Sequence, residues 1–156
     1  MSDTMKLLVI CALMLASATS LLAKKPSDSM KYIVTTSKSV EDAAAAVEKA
    51  AKENKFGVLH IHDIQATLKK KGIDFANGCK VLEICNPQQA AKVLSEDMDL
   101  NFLLPCRISV YEKDGRTHIG MVRPTALLGA FSDAAALKEV AEAVEAASIK
   151  IIDSAK

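Results

Sequence analysis

Residues 106–122, CRISVYEKDGRTHIGMV, contain the clearest structural pattern in the chain. Every second residue from Cys106 to Val110 is apolar, which is typical of a strand with one buried face. The Asp114-Gly115 pair that follows is a strong signal for a tight turn. Thr117–Val122 then returns as a second strand. The stretch therefore predicts a β-hairpin.

The rest of the chain divides into segments of either strand or helix pattern. Strands rich in β-branched and aliphatic residues are predicted at Tyr32–Thr36, Phe56–Ile64 and Cys79–Cys85. Amphipathic helices with one apolar stripe are predicted at Val40–Ala51, Pro87–Ser95 and Asp133–Asp153. Three linking segments are predicted as a helical turn at Thr67–Lys71, an apolar loop at Met98–Pro105 and a loop or short helix at Thr125–Ser132.

The resulting order is β-α-β-β-α-β-β-α. A helix with a single apolar stripe has one face to bury, and a sheet is the surface on which it packs. We therefore expect an α+β fold, a two-layer sandwich with the helices packed on one face of a mixed sheet. The other sheet face is then polar, covered by a lid or used in a dimer.

Residues 1–23 show the pattern of a secretory signal peptide. Lys6 precedes an unbroken apolar run, Leu7–Leu15, and a small-residue A-x-A motif ends at Ala18. Cleavage is predicted after Ala18 or after Ala23. The mature protein is therefore expected outside the cytoplasm, either periplasmic or secreted. No later stretch is long and apolar enough to cross a bilayer, so no membrane contact is expected beyond the signal peptide.

The mature part is the size of one domain. Residues 24–30 are expected to form a polar linker with a proline, and 31–156 a single domain. The formal net charge of +1 provides no strongly basic surface, which argues against nucleic acid as a partner. We find no Gly-rich phosphate loop and no Ser-His-Asp arrangement, so a non-enzymatic role is favoured.

Several short motifs together resemble one known family. They are Cys85-Asn86-Pro87, Ala90-Ala91, Leu103-Leu104-Pro105-Cys106 and Ile108-Ser109-Val110-Tyr111-Glu112 with the Asp-Gly turn after it. This set is similar to domain of unknown function 302, DUF302, over about Tyr32 to Ile152. Arg107 departs from the pattern, which has a small polar residue there. The resemblance implies a small α+β domain, often a homodimer, with no established activity.

Three cysteines remain once Cys11 is removed with the signal peptide. Cys85 stands at a strand end, next to a helix that Asn86 caps, where the helix dipole favours a thiolate and lowers the pKa. Cys106 begins a strand directly after a proline. Cys85 and Cys106 could form a redox pair, a thiolate ligand site or a covalent attachment point. A structural disulfide closing roughly 20 residues and two buried thiols are the other interpretations. No CxxC motif is present.

His60 and His62 are two residues apart on one predicted strand, so their side chains leave the same face. Two imidazoles with this spacing could bind one metal ion, with His118 or a cysteine as third ligand. A polar, exposed strand face explains them equally well.

Our leading hypothesis is an exported non-enzymatic binding or carrier domain, which holds a small ligand, a metal or a sulfur species near Cys85 and Cys106. The alternatives are an exported thiol-disulfide redox protein and a structural dimerisation or interaction module. The sequence names neither a ligand nor a cofactor.

Overall fold

The computed structural model describes residues 29–156, and the predicted signal peptide lies outside them. Its strands are Lys31–Thr36 (β1), Gly57–Asp63 (β2), Cys79–Cys85 (β3), Cys106–Lys113 (β4) and Arg116–Val122 (β5). Its α-helices are Val40–Glu53 (α1), Ile64–Lys70 (α2), Pro87–Glu96 (α3), Pro124–Gly129 (α4) and Ala135–Ala155 (α5), and a 3₁₀ helix spans Met98–Leu103. Within this part of the chain, none of the helices has the length and apolarity that a membrane span requires.

The strands form one sheet in the order β1-β5-β4-β3-β2, and every neighbouring pair is antiparallel. The expectation of a mixed sheet was wrong. α1 connects β1 to β2, which run in the same direction but lie at opposite edges of the sheet and never pair. The segment between β3 and β4 begins and ends at one end of the sheet, because Ile84 faces Cys106. That return makes the central pair antiparallel.

The predicted hairpin is present as β4 and β5. Lys113 pairs with Arg116, which leaves Asp114 and Gly115 as the two turn residues. Both have positive φ, 53° and 70° respectively. A two-residue turn of this kind matches the twist of the strands it joins, and Asp-Gly tolerates the left-handed backbone that it requires.

The α+β two-layer architecture is confirmed, and the helices cover one face of the sheet. Alternate strand residues supply one side of the core: Leu82, Ile84, Ile108, Val110 and Ile119. The stripes of α1 and α5 supply the other side, with small residues such as Ala43 and Ala51 in α1 and larger ones such as Val140 and Ile151 in α5. Each fully buried Val, Leu or Ile side chain contributes about 1.5–3 kcal/mol relative to exposure. The opposite sheet face has no helix layer among residues 29–156.

Three linking segments differ in detail from the sequence expectations. The apolar loop after α3 contains the 3₁₀ helix. The segment after β5 does form a short helix, α4, which starts at Pro124. α2 begins earlier than expected because Asp63 caps it, with Oδ1 accepting a hydrogen bond from the Ala66 N–H at 2.7 Å.

Candidate functional site

The two motif cysteines meet at one end of the sheet. Ile84 is the register partner of Cys106, and Cys85 follows Ile84 in β3. Successive strand side chains point to opposite faces, so Cys106 shares the helix-covered face with Ile84, and Cys85 points to the other face. Together with Cys79, both are free thiols, and each is partly buried. The structure therefore brings Cys85 and Cys106 into one region, as the sequence interpretation required.

Neither motif cysteine has the low pKa that favours a thiolate. Burial raises the pKa of the Cys85 thiol. Burial, and after it the charge that Cys85 would bear, raise the pKa of Cys106 from its ordinary 9.0 to about 11. The expected lowering of the Cys85 pKa was wrong. Both groups are neutral thiols at neutral pH, with weak nucleophilicity.

Asn86, the residue after Cys85, caps the start of α3. Its Oδ1 accepts hydrogen bonds from the N–H groups of Gln88 and Gln89, both at 3.1 Å. Its Nδ2 donates to the Lys55 carbonyl at 3.2 Å. Two of the N–H groups that a helix start leaves without a partner are thus bonded to the cap. The predicted capping role is observed, and Asn86 fixes the start of α3 next to the two cysteines.

A cavity of about 530 Å³ lies at this end of the sheet. Its walls come from β1, β3, β4, β5, α3, the segment before β4, α4 and α5. They include Cys85, Asn86, Ala90, Leu103, Cys106, Met121, Leu127 and Val140. Most of the lining side chains are aliphatic or aromatic. The volume falls within the range of about 300–1,000 Å³ that is typical of small-molecule sites.

Two polar residues in the cavity wall were not singled out from the sequence. Gln89 lies in the first turn of α3, and Ser148 lies in the middle of α5. Gln89 had no distinguishing signal, because Gln88 precedes it in an ordinary polar stretch. Ser148 did have a distinguishing signal, because it occupies a position of the apolar stripe, four residues after Val144. A polar residue at a core position is the kind of exception that marks a site.

Exposed aromatic and charged side chains lie at the edges of the cavity, in contrast to its aliphatic interior. Phe102, 60% exposed, packs edge to face against Phe131, with ring centroids 5.4 Å apart. Lys31 and Arg107 line the cavity from strand positions on the uncovered sheet face. The Arg107 Nε lies 3.8 Å from Glu83 Oε1. The charged groups are therefore confined to the outer side of the cavity.

His60 and His62 do lie together on β2, with ring centroids 4.4 Å apart. The Nε2 atom of His62 lies 3.1 Å from Glu83 Oε1 on the neighbouring strand. His118 is not a third ligand to them, because it lies on β5, three strands away, and stacks on Tyr111. Within residues 29–156, no group of three or more His, Cys, Asp or Glu side chains is placed to hold a metal ion. Metal binding by His60 and His62 stays a prediction.

The fold and the cavity define a small two-layer α+β domain with an apolar pocket at one end of its sheet. Its sequence matches the family model for the domain of unknown function DUF302 over residues 32–155. A crystal structure of an uncharacterized conserved protein DUF302 from Bacillus stearothermophilus is similar, with a TM-score of 0.76 and 36% identity. That match covers 81% of this chain and 98% of the other. Comparison with curated proteins finds no match. The chain belongs to the DUF302 family.

Proposed function

We propose that this protein is an exported, non-enzymatic carrier that binds a small, mainly apolar molecule in the cavity beside Cys85 and Cys106. The observation that carries the proposal is the cavity itself, about 530 Å³ in volume and lined mainly by apolar side chains. Burial of apolar ligand surface supplies the affinity in such a site, and a few polar groups set the orientation. The signal-peptide pattern supports export.

The test uses a neutral fluorescent dye, N-phenyl-1-naphthylamine, whose emission rises in apolar surroundings. Ala90 lies in the cavity wall, whereas Ala91, the next residue of α3, is exposed and outside the cavity. Ala90→Phe places a ring in the cavity and is expected to remove most of the dye signal. Ala91→Phe adds the same ring to the same helix and is expected to leave the signal unchanged. Equal behaviour of the two variants, both folded by circular dichroism, would contradict the proposal.

The thiols are tested separately. If Cys106 contacts the ligand, Cys106→Ser will weaken retention while the fold survives. Native mass spectrometry of protein purified from its own compartment reports whether a molecule is retained. Full retention by both Cys85→Ser and Cys106→Ser would remove the cysteines from the binding site.

The alternative of a thiol-disulfide redox protein has less support. A redox cysteine needs a thiolate at working pH, and burial raises the pKa of both Cys85 and Cys106. Counting thiols in the purified protein before and after reductant distinguishes the two functions. A redox cycle requires two additional thiols to appear on reduction, and a carrier with free thiols shows none.

The uncovered sheet face favours a homodimer as a second proposal. Ile33 on β1 and Val122 on β5 are 41% and 52% exposed, respectively, and lie on neighbouring strands of that face. A second copy of the chain would cover these apolar side chains. Ile33 and Val122 also line the cavity, so self-association would close the cavity on this face of the sheet.

A further inference from the structure

Two buried polar atoms in the cavity wall have no hydrogen-bond partner among residues 29–156. They are Oε1 of Gln89 and Oγ of Ser148. The Ser148 residue is only 1% exposed. Buried polar atoms are almost always paired in folded proteins, so an unpaired one requires an explanation. Two of them in the wall of one cavity indicate a ligand with polar groups of its own.

The neighbouring residues show that helical position alone does not produce this state. Ser154, on the same helix as Ser148, donates its hydroxyl hydrogen bond to the Lys150 carbonyl at 2.8 Å. That bond to the carbonyl four residues earlier is the usual solution for a helical serine. Ser148 does not make this bond, and the residue lines the cavity. The Gln89 backbone is bonded to the Asn86 cap, yet its side-chain oxygen is not paired.

The rest of the cavity constrains the charge of the ligand. Cys106 lines the cavity on the helix-covered face of the sheet, and its thiol is neutral at neutral pH. The charged residues that line the cavity, Lys31 and Arg107, lie on the uncovered sheet face. A charged group placed beside Gln89 and Ser148 would therefore be buried without a counter-charge, which is costly.

We infer that the cavity takes a neutral, mainly apolar alcohol. A hydroxyl is a neutral group that both donates and accepts, so it can donate to Gln89 Oε1 and accept from Ser148 Oγ–H. One hydroxyl or two on the ligand would satisfy the pair, while its hydrocarbon part lies against the aliphatic wall. This inference rests on the proposed carrier function and specifies its ligand class.

The test compares two isomers, 1-decanol and 1-methoxynonane, which have the same number of carbon and oxygen atoms. Each is titrated against the bound naphthylamine dye on the chain purified from its own compartment. The alcohol is expected to displace the dye at a roughly tenfold lower concentration, because the ether has no hydrogen to donate. Gln89→Leu is expected to remove this preference, and Gln88→Leu, at an exposed position of the same helix, is expected to keep it.

Ser148→Ala provides a second, independent variant. It removes only the hydroxyl and suits a buried helix position, so folding is expected to be preserved. The affinity for 1-decanol is expected to fall roughly threefold to tenfold. Ser154→Ala, the matched control outside the cavity, is expected to bind normally.

Three results would overturn the inference, and each can be distinguished from a failure of the carrier proposal. Equal displacement by the alcohol and the ether means that the polar atoms do not select the ligand. Tighter binding of decanoate than of 1-decanol places the polar end at Lys31 and Arg107 instead. An unchanged preference in both Gln89→Leu and Ser148→Ala removes these residues from recognition. In all three cases the dye still binds, whereas no binding of dye or alcohol refutes the carrier function itself.

Discussion

The Cys106 thiol is expected to make the stability of this domain depend on pH above neutrality. Burial raises its pKa in the folded protein to about 11, from an ordinary value of 9.0. In the unfolded chain the thiol releases its proton at the lower of these values. Its neutral form therefore stabilises the fold fully below the unfolded pKa, and the contribution is lost as the pH rises through the folded pKa.

The magnitude follows from the two pKa values. At about pH 10 the thiol is about nine-tenths ionised in the unfolded chain and about one-tenth ionised in the fold. This difference lowers the free energy of unfolding by at most about 1.4 kcal/mol relative to about pH 7. Because Cys106 is partly accessible, solvent screening makes this an upper value.

The assay is urea unfolding, followed by circular dichroism at both pH values, for the native chain and for Cys106→Val. Any change in packing caused by valine alters the free energy of unfolding equally at each pH. The pH-dependent difference between the two proteins therefore reports the ionisation of the Cys106 thiol. The native chain is expected to lose about 1 kcal/mol more than Cys106→Val on going to the higher pH. An identical loss in the two proteins would refute the assignment of Cys106 as a buried neutral thiol.

Three further outcomes are expected. Asp63→Ala removes the α2 cap and should lower the free energy of unfolding by about 1 kcal/mol in urea titrations, while Asp63→Asn, which also caps, should recover most of it. Asn86→Ala should lower the free energy of unfolding by about 1–2 kcal/mol and also weaken dye binding, because the start of α3 holds Gln89 in the cavity wall. Unchanged dye affinity would show that the cap does not contribute to the binding site. Ile33→Lys together with Val122→Lys should shift sedimentation velocity toward the monomer if the uncovered face forms the dimer, and an unchanged sedimentation coefficient would exclude that face.

The local elements of this fold are predictable because their signals are local. The alternation in β4 and β5, with Asp114 and Gly115 between them, predicts the hairpin and its turn. The apolar stripe of α5 predicts that Leu137, Val140, Ala141, Val144 and Ile151 are buried, as they are, but it misses Ser148, Ile152 and Ala155. The order of strands in the sheet is not predictable from such local signals, because a β-α-β succession does not show how many strands the helix crosses. β1 and β2 are parallel in direction, yet three other strands lie between them, and the expected mixed sheet is absent for that reason.

The site was predictable in position but not in chemistry. The motif around Cys85, Asn86 and Cys106 does lie at one cavity, since a strand end, a capped helix start and the next strand start are brought together by the antiparallel return. The state of the thiols depends on how deeply the folded chain buries them, which the sequence alone does not resolve. The Asn86 Oδ1 accepts hydrogen bonds from the N–H groups of Gln88 and Gln89 at the start of α3.

The protonated state of the two thiols limits the chemistry that they can perform. A redox or covalent-transfer site needs a thiolate that positive charge or N–H groups stabilise, and here burial raises the pKa of both thiols. A neutral thiol is a small, polarisable, weakly hydrogen-bonding side chain, well suited to line an apolar cavity. Gln89 and Ser148, whose polar atoms are unpaired within the described chain, then provide the strong hydrogen-bonding groups of the wall. The arrangement favours reversible binding of a neutral molecule over chemistry at sulfur.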